Sequence, residues 1–289
     1  MKTSTVLREE NKWPKSYLEW ADDDGVHLSV VFSWLLGEAI DRAAELMAEG
    51  RAVDLGGPAA EYAGVAYGNG VENALRLHNP NACKTSVGCV NHCPFCIVPV
   101  VEGELRELPT WEPKPIVCDN NLLACSRAHF DKVIDSLKGV KDVDFNQGLD
   151  ARILTNHHAE RLRELDLRYI RIAWDSIGYE SKFMQGWDVL RRAGFPRSKI
   201  AVYVLIGFHD TPEDALYRLQ MVRRLGGWPF PMRYQPLDAV SRNSYAGDGW
   251  TNRELVRYCH YWSMLRVTSR IPFAEFQYGG QCGESELRE

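Results

Sequence analysis

The 289-residue chain has no apolar run approaching the eighteen or so residues that a membrane-spanning helix requires. Its first residues, Met1-Lys2-Thr3-Ser4-Thr5, lead into charged sequence instead of the apolar centre of a signal peptide, so a cytoplasmic location without membrane partners is expected. It also lacks an excess of positive charge. With 34 Lys and Arg against 39 Asp and Glu, the formal charge is −5, which gives no support to a general polyanion-binding surface. Arginines do gather at Arg161, Arg163, Arg168 and Arg171, at Arg191 and Arg192, and at Arg223 and Arg224, a pattern expected of solvated helix faces. No solenoid-length repeat and no low-complexity segment is present. The eight cysteines lack the even scatter of a disulfide framework, and three of them crowd together, which suits a reducing compartment and a metal.

That crowded stretch is Cys89-Val90-Asn91-His92-Cys93-Pro94-Phe95-Cys96, with thiols at C-x3-C-x2-C spacing. Three thiolates are one short of the four that close an ordinary cubane, so a 4Fe-4S cluster held by Cys89, Cys93 and Cys96 keeps one iron open. An open metal position marks chemistry. The competing reading is a zinc site completed by His92, but His92 adjoins Cys93, and sequence neighbours rarely both face one tetrahedral ion.

The spacing, the aromatic Phe95 and the strand-like Ala82–Gly88 before it together resemble the radical S-adenosylmethionine (radical SAM) superfamily. The resemblance implies that S-adenosylmethionine binds the open iron and is reductively cleaved to a 5′-deoxyadenosyl radical that abstracts a substrate hydrogen. It also implies a one-electron donor such as flavodoxin or ferredoxin.

Residues 1–26 show no clear periodicity and read as an arm or lid. A strand is expected over Val26–Phe32, a helix over Leu35–Met47 ended by Gly50, and a strand over Ala52–Leu55 running into Gly56-Gly57-Pro58. This β-α-β piece resembles the start of the cobalamin-binding-like domain found before many radical SAM barrels. Without the Asp-x-His-x-x-Gly signature, no cobalamin is expected.

From Pro115 onward strands and helices alternate, which argues for a parallel sheet. Strands are expected at Ile116–Cys118, Val143–Asn146, Tyr169–Trp174, Ala201–Ile206 and Met232–Gln235. Helices are expected after the cap Ser126, around Ala159–Leu165, from Ser181 and after the cap Thr211, with a last one over Thr251–Val267. Counting the strand before Cys89, the fold class is α/β, a partial (β/α)6 radical SAM barrel over residues 81–238. A short β-α-β extension covers 1–80 and a small cap 239–289.

In α/β barrels reactive groups collect at the carboxyl ends of the strands. That rule selects Asp119, Asn120 and Asn121, then Gln147, Asp150 and Arg152, then Asp175 and Ser176, then His209 and Asp210, and finally Gln235 and Asp238. The resemblance assigns S-adenosylmethionine-binding roles. Cys118-Asp119-Asn120-Asn121 stands where the family has a Gly-Gly-Glu-like segment for the amino group, in a form resembling methylthiotransferase-like members. Ile172-Ala173-Trp174-Asp175-Ser176 is similar to the fourth-strand I-G-x-E-S pattern near ribose or carboxylate. Val204-Leu205-Ile206-Gly207 is similar to the fifth-strand G-x-I-x-G pattern, whose apolar residue packs on adenine. Phe95 shields the cluster, and Gln147, Arg152 and Gln235 complete the set, a guanidinium suiting a carboxylate.

Cys83, Cys118 and Cys125 read as small buried hydrophobes, whereas Cys259 and Cys282 are the better candidates for an auxiliary role. For the substrate, the resemblance leans slightly towards a nucleotide or nucleic acid, with a small molecule or peptide as the alternative. A non-catalytic iron–sulfur binding module is the reading from another class.

Overall fold

The computed structural model describes residues 13–68 and 74–278, a mixed α/β fold of several small sheets. The first sheet is built from β1 (Leu18–Asp22), β2 (Gly25–Ser29) and β3 (Val53–Gly56) in that order. β1 pairs antiparallel with β2 across an acidic turn, and β2 runs parallel to β3 after α1 (Leu36–Ala48). The expected arm therefore contains a strand, which the sequence hides because Leu18–Asp22 is an edge with only half-buried and exposed residues. Helix α1 turns Ala39, Ala43 and Leu46 onto Val26, Leu28, Val30 and Leu55, which form a small core of their own. Short helices α2 (Pro58–Tyr62) and α3 (Leu75–His78) follow.

The strand expected over Ala82–Gly88 is split. β4 (Ala82–Cys83) lies in a parallel sheet, whereas β5 (Ser86–Val87) turns away to pair antiparallel with β6 (Arg106–Glu107), beyond α4 (Val98–Val101). The cause is Asp119, whose buried carboxylate accepts from the Thr85 amide at 2.6 Å, from the Thr85 hydroxyl, and from the Ser86 hydroxyl at 2.9 Å.

The rest alternates. After β7 (Ile116–Val117) come α5 (Arg127–Leu137), β8 (Asp144–Phe145), α6 (Asn156–Leu162), β9 (Ile170–Ala173) and α7 (Glu180–Arg192). Then follow β10 (Ile200–Ile206), α8 (Pro212–Arg224), β11 (Trp228–Arg233), α9 (Asn252–Ser263) and α10 (Leu265–Thr268). Ser126 and Thr211 cap α5 and α8 as their sequences anticipate. Two three-stranded parallel sheets, β4-β7-β8 and β9-β10-β11, keep chain order and meet through the isolated parallel bridge Leu149↔Ile172. The last strand begins before Met232 because Pro229 and Pro231 sit on an edge strand, where a missing amide hydrogen is tolerated.

Alternate residues face opposite ways. Ile170, Ile172, Ile200, Val202, Val204 and Ile206 join Phe183, Trp187, Leu190, Leu219 and Val222 of α7 and α8 in the main core. On the other face Arg171 grips Asp144 at 2.6 and 2.8 Å and reaches the Tyr203 hydroxyl at 3.0 Å.

Candidate active site at the carboxyl ends of the parallel strands

The cysteine loop leaves β5 through Gly88, whose φ of +76° suits glycine; a Cβ there would stand 2.1 Å from the Glu104 carbonyl oxygen. The Cys89 amide donates to the Gly103 carbonyl at 3.1 Å, and the Cys96 amide to the Cys93 carbonyl at 3.0 Å, so the loop closes into a tight turn. All three thiols are free; Cys89 is buried, and Cys93 and Cys96 are half-buried. Sγ of Cys89 accepts from the Asn91 amide at 3.4 Å and from Asn121 Nδ2 at 3.7 Å. Burial pushes the Cys93 and Cys96 thiols up, and for Cys93 the Arg152 guanidinium pulls the other way.

Asp150 organises the far side. Arg152 holds it with Nε and one terminal nitrogen, both at 2.8 Å, while Asn91 and Asn121 donate to the same carboxylate at 3.1 and 3.4 Å. Burial raises its pKa, but Arg152 outweighs that and holds Asp150 below the usual carboxylate range. Asp175, just beyond β9, is half-buried, and burial pushes its carboxyl up to about 6 against the pull of Arg152 and Arg218. Arg152 also lies over the Tyr179 ring, 5.0 Å from its centroid.

The expected residues thus divide. Cys89, Cys93, Asn121, Arg152 and Asp175 come together around Asp150, and Phe95 meets Phe208 edge-on at 5.6 Å. Others are spent elsewhere. Asp119 is turned inward on Thr85 and Ser86, and Asn120 donates to Glu102 at 2.7 Å. Gln147 is exposed, and Ser176 is an exposed cap accepting from the Gly178 amide at 3.2 Å. Ile206 lies wholly within the helix-packed core, Gly207 at φ +79° donates its amide to Asp210 at 2.9 Å, and Gln235 exchanges hydrogen bonds with Asn243 at 3.0 and 3.1 Å. His209 and Asp238 are exposed. Cys282 lies outside the described residues.

Sequence reasoning passed over four contributors. Glu102 receives Lys84 at 2.6 Å, the Gly88 amide at 3.0 Å and Asn120, so it fastens the loop from behind; these donors outweigh burial and lower its pKa. Arg218 reaches the site from the buried face of α8, among Ala215, Leu219 and Val222. Phe208 and Tyr234 follow β10 and β11, and the strand-end rule finds Tyr234 only once β11 is known to stop at Arg233.

These residues fit a three-thiolate cluster. The thiols are free, the buried sulfur has two N–H donors, and a guanidinium beside Cys93 offsets thiolate charge, as supporting groups around metal ligands do. Among the described residues no three His, Cys, Asp or Glu side chains converge on a single ion. A cubane, whose cysteines bind separate irons, does not require that convergence. Asn121 Oδ1, beside the Cys89 contact, is buried and has no hydrogen-bond partner among the described residues. No family model matches the chain, and no curated protein sequence matches it.

Proposed function

We propose that the chain is a radical SAM enzyme whose partial (β/α)6 barrel, over residues 81–238, carries a 4Fe-4S cluster on Cys89, Cys93 and Cys96. Residues 1–80 are the extension and 239–289 the cap. The observation that carries the reading is the turn of three free thiols at the parallel strand ends, with Asn91 and Asn121 donating to Cys89 and Arg152 beside Cys93. Held by Cys89, Cys93 and Cys96, a cluster would supply one-electron reduction of S-adenosylmethionine, a cleavage to methionine and a 5′-deoxyadenosyl radical able to abstract a substrate hydrogen atom.

The protein's own residues bind and orient. Asn121 Oδ1, buried and unpartnered, accepts a hydrogen bond from an ammonium-type donor. Asp175 accepts from a ribose hydroxyl, and Phe95 shields the loop from water. Arg152 holds Asp150 in the acceptor position that Asn91 and Asn121 share, which ties Asn91 of the cysteine loop to Asn121 beside Cys89. The electron comes from a carrier such as flavodoxin or ferredoxin. No helix among the described residues is long and apolar enough to cross a membrane.

The test is anaerobic reconstitution with iron and sulfide, then mass spectrometry after S-adenosylmethionine and a strong reductant, beside Cys93→Ala. 5′-Deoxyadenosine and methionine formed only with intact Cys93 support the reading. Their absence from a protein that holds the cluster and binds S-adenosylmethionine would favour the non-catalytic iron–sulfur module.

A further inference from the structure

The amino ends of β9 and β11, at the opposite side of the sheet from the cysteine loop, hold a cavity of about 370 Å³. Tyr169, Arg171, Trp228, Phe230, Trp262 and Met264 line it. Its volume lies at the small end of the range that ligand pockets span. Three of its large apolar side chains stay open to solvent, Trp228 at 38% and Phe230 and Met264 at 43%. Gathered around one concavity, they form the kind of exposed apolar patch that marks a ligand site. The rings are also fixed in place: Trp228 Nε1 donates to the Ser198 carbonyl at 3.0 Å, and Phe230 meets Tyr203 at 5.9 Å.

The polar groups at this cavity are donors. Arg171 commits three of its five N–H groups, two to the Asp144 carboxylate at 2.6 and 2.8 Å and one to the Tyr203 hydroxyl at 3.0 Å, and two remain. Trp262, at the end of α9, is 3% exposed, and its Nε1 is buried with no hydrogen-bond partner among the described residues. An indole N–H can only donate, and folded proteins rarely leave such a group unmatched. An acceptor held in the cavity that Trp262 lines would match it. Among the described residues no Asp or Glu lines the cavity. Lys199, whose ammonium lies 5.9 Å from the Tyr169 ring centroid, donates to the Leu167 and Arg168 carbonyls and adds positive charge beside it.

We infer that this cavity binds a small aromatic carboxylate, its rings against Trp228 and Phe230 and its carboxylate on Arg171 and the Trp262 Nε1. A guanidinium with N–H groups to spare presents the fork that suits a carboxylate. Asp144 offsets the charge of Arg171, so Lys199 supplies the excess positive charge that favours an anion over a neutral molecule. Aromatic walls favour a ring over an alkyl chain, because rings attract one another beyond the area they bury. The site stands at the other ends of the strands from Cys89, Cys93 and Cys96, and the inference does not rest on the proposed radical chemistry.

The experiment is calorimetric titration of the full chain with naphthoate, beside naphthylmethanol, naphthylmethylamine and octanoate. The expected result is a single site for naphthoate, about ten-fold or more tighter than for the alcohol or octanoate, with the amine not bound. Phe230→Ala and Trp262→Phe, which keeps a ring but removes the Nε1 hydrogen, should each weaken naphthoate about ten-fold or more. Phe32→Ala, which removes an exposed ring of the N-terminal unit, should leave binding unchanged, as should Cys93→Ala. Thermal melting checks folding; if Trp262→Phe does not fold, the half-exposed Phe230 still carries the test. Absence of naphthoate binding, equal binding of the alcohol, the amine or octanoate, indifference to Phe230→Ala, or loss of binding in Cys93→Ala or when S-adenosylmethionine is added would each overturn the inference.

Discussion

Arg218, with none of its side chain exposed, is held by the carboxylate of Asp210 and by the Trp174 carbonyl at 2.9 Å. Asp210 also accepts from the Gly207 amide at 2.9 Å and from Trp250 Nε1 at 3.2 Å, so one buried pair joins the ends of β9 and β10 to α8 and the cap. Burial pushes Asp210 up and Arg218 down, against their mutual attraction. Removing one partner strands the other's charge, so Asp210→Ala is expected to cost about 3–5 kcal/mol, and Asp210→Ala with Arg218→Met distinctly less. Urea unfolding of the single and double variants measures this. A single-variant loss below about 1 kcal/mol would mean that the pair contributes little.

The same pair shows what sequence can and cannot reveal. The alternation of elements after Pro115 is legible because period and capping signals are local: Ser126, Thr211 and the apolar faces of α5 and α8 stand where their spacing puts them. The C-x3-C-x2-C spacing of Cys89, Cys93 and Cys96 is a local feature of the same kind. What a strand-end side chain does is not local. Asp119 and Asp150 both follow strands, yet one is absorbed by Thr85 and Ser86 while the other receives its neighbour Arg152 together with Asn91 and Asn121, and apart from Arg152 these partners lie about thirty to sixty residues away. Arg218 stands on the main helical face of α8 with Leu219 and Val222, and only the tertiary fold turns it into the site.

The thiols fall into two chemical groups. Burial raises Cys83 and Cys125 to about 11 and Cys118 to about 12, leaving almost no thiolate at neutral pH. Cys93 and Cys96 are half-exposed, and Arg152 stands beside Cys93. Brief treatment of the metal-free native chain with iodoacetamide should therefore label Cys93 and Cys96 well before Cys83, Cys118 and Cys125. Peptide mass spectrometry reads the order, and early labelling of Cys118 would contradict the packing described.

Gly88 admits no side chain. Its positive φ and a Cβ position 2.1 Å from the Glu104 carbonyl oxygen mean that Gly88→Ala has to move backbone at the entrance to the cysteine loop. A cost of about 1–3 kcal/mol is expected. Iron bound per chain after reconstitution should fall with it, whereas Gly103→Ala, at φ +72° with nothing within 4 Å, should retain more iron. Equal iron content in the two variants would show that the strain is not transmitted to Cys89.

His27 gives the N-terminal sheet a pH dependence of its own. Its ring is buried against Trp20 at 5.1 Å, with Nε2 at 2.8 Å from Asp22 and Nδ1 at 3.0 Å from Asp54. The Asp22 hydrogen bond chiefly raises its pKa, burial opposes, and Asp54 adds to the rise. The native state therefore keeps this proton to higher pH than the unfolded chain does. Stabilisation by the protonated ring is full below the unfolded value of about 6.5 and is lost as pH climbs through the native value. Compared with His27→Gln, the parent chain should hold its largest advantage in melting temperature below about pH 6.5 and lose it progressively above. A difference that stays constant from about pH 5 to about pH 9 would mean that the ring has the same pKa in the native and unfolded states, so that the two carboxylates do not help to hold its proton.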